Sequence, residues 1–272
     1  YPESREQFTR AVALSSSLHV STTHEPHLGM ARALAANETL EQAEAHLAEA
    51  LARAATSREF MRMAEVHLYT GDLYFALGRH EDALLHYDNV IEISKSIGLT
   101  RSWITALIRL AYVALERGDE AAIYARLAEA LQQAQSLNDT DSDLQIRAHI
   151  IYTQLLQHGF RAKGDTFSSL LAAATEQGLT RAATLCHLFK ADVAASRAEF
   201  EHARDLLRAA HVGAAQIGDY ALFIPIARRI YLIQKETGEL GDPHTGAGWA
   251  IGSIIPPEVG IRRFDRLPET VM

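Results

Sequence analysis

Residues that tolerate a left-handed backbone recur along this chain every forty positions. One series runs Gly98, Asn138, Gly178, Gly218 without a slip. A second, twenty residues out of step, starts at Gly78 and passes Gly118. It reaches Gly159 one place late, then Ala198 and Gly238, and backwards it lands on Glu38 in the turn Ala36-Asn37-Glu38. Glycine closes helices because it has no Cβ to clash in the left-handed region, and Asn is its usual substitute. A stop signal about every twenty residues cuts the chain into segments of helix length. The sequence around the first series also rhymes: SIGLTRSW, SLNDTDSD, EQGLTRAA, QIGDYALF. A repeating helical unit accounts for this arithmetic.

The segments between the stops carry helical periodicity. Leu68, Gly71, Tyr74, Phe75 and Leu77 mark one apolar stripe before Gly78, and Ala83, Leu84, Tyr87, Val90, Ile91 and Ile93 mark another after it. Gly71 and Ala83 are small enough to let the two helices approach closely, with Tyr74 and Tyr87 filling the space beside them. Ala43, Ala83 and Ala203 stand at one point of the second helix of a pair, and Gly71, Ala111 and Ala191 at one point of the first. Ile151 breaks the small-residue rule, so the hairpin around it should be the loosest.

The pattern Gly71, Tyr74, Gly78, Ala83, Tyr87 resembles the tetratricopeptide repeat, with His67 where that family has Trp and Lys95 where it has a late Pro. The resemblance implies an all-α fold, an α-solenoid of antiparallel helical hairpins wound as a right-handed superhelix. One hairpin cannot bury its apolar faces alone, so about five should stack over residues 1–238, with capping helices at both ends. Forty-residue repeats with such turns are similar to the arrays of bacterial MalT-like signalling proteins. In those arrays the helices sense a small molecule, a peptide or a partner protein.

Composition narrows the function classes. A net charge of −8 on 272 residues excludes an extended phosphate-binding surface, so no nucleic acid is expected. No run of about twenty apolar residues exists to span a membrane. A cytoplasmic location is the expectation. The one cysteine, Cys186, lies in the apolar run ATLCHLF and reads as a packing thiol. Thirteen histidines include no pair at the spacing that seats two imidazoles and a carboxylate on one helix face, so no metal and no cofactor are expected. Serines 15–17 and 168–169 lack an elbow motif, and no glycine-rich phosphate loop occurs, so no catalytic residue is assigned. The chain begins at Tyr1, which reads as a processed protein or a piece cut from something larger.

The resemblance also assigns a binding face. In tetratricopeptide arrays the first helix of each repeat lines the concave side, where a protein or peptide is bound. Carried onto this sequence, that register selects Arg32, Glu65, Asp72, Phe75, Tyr112, Glu116, Tyr152, Asp192, Arg228 and Lys235 as partner-binding candidates. The Lys and Asn pairs of the family's carboxylate clamp are not among them, which disfavours a chaperone-tail receptor. Three function classes follow: a non-catalytic protein- or peptide-binding scaffold, a ligand-sensing arm of a larger bacterial regulator, and, least supported, an enzyme.

After Gly238 the helical period ends. Residues 239–272 hold four of the seven prolines, yet Trp249, Ile251, Ile254, Ile255 and Phe264 punctuate them. Disordered linkers are normally poor in such residues. The expectation is an extended tail in intramolecular contact with the array, as a cap or as an occupant of its groove.

Overall fold

The computed structural model describes residues 9, 40–160, 167–217, 222, 226, 229, 230, 232–234 and 236–238. Nine full helices lie within them: α1 Leu40–Thr56, α2 Phe60–Ala76, α3 His80–Ile97, α4 Thr100–Arg117, α5 Glu120–Ser136, α6 Thr140–His158, α7 Ser168–Glu176, α8 Thr180–Ser196 and α9 Phe200–Ile217. The described residues contain no strand, as the periodicity requires. Residues 222, 226, 229, 230, 232–234 and 236 are helical as well, within the segment 220–237 that the pattern reads as a last helix. The N-terminal capping helix (apart from the helical Thr9), the first helix of the first repeat and the tail at 239–272 lie outside the described residues.

The turns show why the period is so regular. The residues with positive φ among those described are Gly78, Gly98, Gly118, Asn138, Gly159, Gly178, Ala198 and Gly238, all on the two series, and Arg58, one forty-residue step before Gly98. At six of these turns the next residue donates its N–H five residues back. The pairs are Glu59 to Ala54, Arg79 to Tyr74, Leu99 to Ser94, Asp139 to Ala134, Leu179 to Ala174 and Glu199 to Ala194, all at 2.8–3.0 Å. This wraps the last turn of each helix and satisfies a carbonyl that would otherwise be orphaned. The next helix then begins within two or three residues. Asp119 and Asp139 cap α5 and α6 by accepting from Ala122 and Ser142 backbone N–H groups at 3.0 and 3.1 Å.

Two positions in this series carry a Cβ at a cost. Ala198 sits at φ 60° and Arg58 at φ 55°. A left-handed residue with a Cβ is disfavoured by about 1–2 kcal/mol. Ala198→Gly should therefore raise stability by about 0.5–1 kcal/mol, part of the relief being offset by the more flexible unfolded chain. Gly98, at φ 74°, works the other way, and Gly98→Val should cost about 1 kcal/mol or more. Urea midpoints of the two variants check both signs.

The helices divide into two compact units, α1–α4 up to Arg117 and α5–α9 from Gly118. In the first, Ala43, Leu47, Ala50 and Val66 join α1 to α2 with no more than 3% exposure. Ala83, Tyr87 and Val90 are fully buried between α3 and its neighbours. In the second, Leu188, Ala191, Ala203, Leu207, Ala210 and Ala214 form the α8–α9 core, closed by Ile226 and Ile233. The cores are rich in alanine at the positions where small residues recur. Close backbone approach, rather than bulk, does the packing.

Gly71 shows this most sharply. A Cβ built there would stand 2.6 Å from Tyr87 Cε1, well inside contact distance. The ring of Tyr87 thus lies against the backbone of α2 at Gly71. Ile151, by contrast, is only partly buried, and its hairpin departs from the others. Gly159 takes ψ 154° instead of a helical cap, and α7 is a nine-residue helix that begins at Ser168.

Candidate functional site

The helices that follow the Arg58, Gly98, Asn138 and Gly178 turns are α2, α4, α6 and α8. They carry seven of the ten partner-binding candidates. In the first unit Glu65 and Glu116 are exposed, and Glu65 lies 4.0 Å from Arg62. Phe75 is half-buried against His80 in an edge-on contact, with ring centroids 5.5 Å apart. Tyr112 is half-buried. Asp72 is engaged twice: its Oδ1 accepts from the Tyr87 hydroxyl and from Arg109 Nε, both at 2.8 Å. Burial, then the Asp72 charge, pushes the Tyr87 hydroxyl far up its range, so it stays a donor.

In the second unit the corresponding residues form a core. Tyr152 and Asp192 are 8% and 7% exposed, which removes them from any surface a partner could touch. They are corrected from binding candidates to internal links. The Tyr152 hydroxyl donates to Asp192 Oδ2 at 2.6 Å, and Arg229 donates from Nε and Nη2 to the two Asp192 oxygens, each at 2.7 Å. Burial opposes the Arg229 charge, and Asp192 and Tyr152 more than offset it. The Tyr152 ring stacks on Phe189 at 4.1 Å and 9°, and His149 and Phe167 pack around Phe189. Arg32, Arg228 and Lys235 lie outside the described residues.

The two acids share one geometry. Arg109 lies 37 residues beyond Asp72, and Arg229 lies 37 beyond Asp192. Tyr152 and Phe189 are also 37 apart. Since the repeat is forty residues, a step of 37 moves to the next first helix and one turn back along it. That is where side chains of stacked neighbours meet. The register pointed to Arg228 instead, one residue off. Comparing Asp72/Arg109 with Asp192/Arg229, each pair displaced by three whole repeats, is the signal that finds Arg229.

A second polar pair joins α2 to α3. His67 and His86 face each other Nδ1 to Nδ1 at 2.9 Å, so one ring donates the proton that the other accepts. Burial, then the His86 charge, lowers His67 to about 4; burial also lowers His86, although Asp82 pulls it back up. The unfolded chain takes up these protons near pH ~6.5, before the folded one does. Stability should therefore fall on acidification, beginning near the unfolded value and ending as His67 titrates at about 4. His46 and His187 shift in the same direction. The contribution of the pair is read as the difference from His67→Phe with His86→Leu, whose urea midpoint should drop less between about pH 7 and about pH 5.

Nothing in the described residues groups three His, Cys, Asp or Glu side chains for a metal ion. Cys186 is buried, and burial raises its thiol to about 11, so it is protonated and unreactive at neutral pH. No described helix is long and apolar enough to cross a membrane. The α7–α8–α9 region holds a cleft of about 470 Å³, lined by Leu179, Ala183, His187, Arg208, Val212 and Gly213 among others.

No family model and no curated protein matches the chain. Among solved structures it is similar to the crystal structure of BtubC (BKLC) from P. vanneervenii. The TM-score is 0.53 at 18% identity, over 80% of this chain and 90% of that one. The likeness is one of fold.

Proposed function

We propose that this chain is a tetratricopeptide-like solenoid that works as a non-catalytic scaffold, binding a protein or peptide on the face of its first helices. The observation that carries the reading is the first unit. There the register residues Glu65, Phe75, Tyr112 and Glu116 are exposed or half-buried on α2 and α4, while the turns, small residues and alanine core around them are consumed by packing. An acidic and aromatic face suits a partner with basic or amide groups. The fold likeness to BtubC supports the architecture.

Asp72 is a poor probe of this surface, because reversing its charge would also strand Arg109 and the Tyr87 hydroxyl. The exposed Glu65 and Glu116 are better probes. Glu65→Arg with Glu116→Arg should leave the melting temperature and helical content unchanged and lose most of the partner recovered by the parent chain in a pull-down from source-cell extract. Equal recovery by both proteins would exclude this face.

A second reading, a ligand-sensing arm of a larger regulator, draws on the α7–α9 cleft, where the buried His187 Nδ1 has no hydrogen-bond partner among the described residues. A metabolite that raises the melting temperature of the parent but not of His187→Trp would support it.

A further inference from the structure

The two Asp–Arg pairs differ in the hydrogen-bonding capacity they leave unused. Arg229 spends Nε and Nη2 on both oxygens of a buried Asp192. Arg109 engages Asp72 through Nε alone, on the same Oδ1 that accepts from Tyr87. Asp72 Oδ2 and both terminal amino groups of Arg109 make no hydrogen bond among the described residues. The two side chains are 36% and 35% exposed. One turn further along each helix stand the half-buried rings of Phe75 and Tyr112.

A carboxylate acceptor and guanidinium donors, held together by their own ion pair, select a ligand by charge. An incoming carboxylate at Arg109 meets the Asp72 charge, and an incoming ammonium at Asp72 meets the Arg109 charge. A neutral group with an N–H and a C=O side by side meets neither penalty and satisfies both halves. The geometry points to Asp72–Arg109 as a carboxamide-reading site on α2 and α4. Asp72 Oδ2 accepts from the NH₂ of an Asn or Gln side chain, Arg109 donates to its C=O, and Phe75 and Tyr112 flank the extended peptide that carries it. The site rests on the scaffold reading and specifies the chemistry its face takes. At the matching position of the second unit, Asp192 is sealed by Tyr152 and Arg229 and offers no such site.

The test uses the whole chain and a fluorescein-labelled peptide of alternating Asn and Ser, read by anisotropy. Matched peptides carry Asp or Leu in place of every Asn. The Asn peptide should bind about tenfold more tightly than either, the size expected when hydrogen bonds to charged groups are lost. Arg109→Lys keeps the charge beside Asp72 but loses the forked donors, and should weaken the Asn peptide by about tenfold at unchanged melting temperature. Asp72→Asn keeps an oxygen for Tyr87 and should weaken it similarly. In the parent, the Arg109 Nε–Hε resonance should shift on adding the Asn peptide and not the Leu peptide. Equal binding of the Asn and Leu peptides, no binding of the Asn peptide, or unaltered binding by Arg109→Lys would each overturn the site. The scaffold reading fails separately, through the pull-down with Glu65→Arg and Glu116→Arg.

Discussion

Asp192→Ala is expected to destabilise the chain by about 3–5 kcal/mol, the usual cost of removing one partner from a buried ion pair. The size follows from what the acid leaves behind. Arg229 has 17% side-chain exposure and directs Nε and Nη2 at Asp192, and the Tyr152 hydroxyl donates to the same carboxylate. Without Asp192 a guanidinium and a phenol are stranded in a site that water reaches poorly. Asp72→Ala is the internal control. It removes a pair with 36% and 35% exposure, where solvent screens the charges, and its cost should be smaller, about 1–2 kcal/mol, chiefly the unsatisfied Tyr87 hydroxyl. Urea unfolding of the two variants side by side gives the comparison. Equal losses would mean that the two pairs are equally solvated and that Asp192 is no internal link.

Gly71→Val should cost about 2–3 kcal/mol, near the upper end for overpacking a filled site. Even a methyl group there would stand 2.6 Å from Tyr87 Cε1. The ring cannot swing aside cheaply, because Tyr87 is fully buried and its hydroxyl is fastened to Asp72. Relief requires α2 and α3 to separate, which opens the alanine contacts beside them. Gly71→Val with Tyr87→Leu should recover part of the loss by vacating the ring, although it forfeits the bond to Asp72. If Gly71→Val melts with the parent, the two helices are not in the close contact that places Asp72 beside Tyr87.

How much of this was legible beforehand depends on whether the determining force is local. The turns at Gly78, Gly98, Gly118, Asn138, Gly178 and Ala198 fall between helices where the two series put them, because a left-handed turn selects its residue within a few positions of chain. Gly71 against Tyr87 could likewise be anticipated, since a small residue and a large ring at helical spacing on adjoining helices imply a close approach. Arg58 shows the limit of the same logic: it takes the left-handed conformation with nothing in its side chain to announce it.

The candidate face was legible by register and not by state. Counting forty residues names Asp72, Tyr152 and Asp192 alike, yet one is half-exposed and the others are buried. The difference lies in Phe189, which stacks on Tyr152 from 37 residues on, and in Arg229, which pairs with Asp192 from 37 residues on. In the sequence by itself, the repeat, the turns, the helical class and the small residues at the contacts were determined, because each is set by the sterics of a few neighbouring residues. Which charges face solvent and which face one another was decided only in the tertiary structure. A side chain's exposure depends on what the next helix places one turn back, 37 residues away.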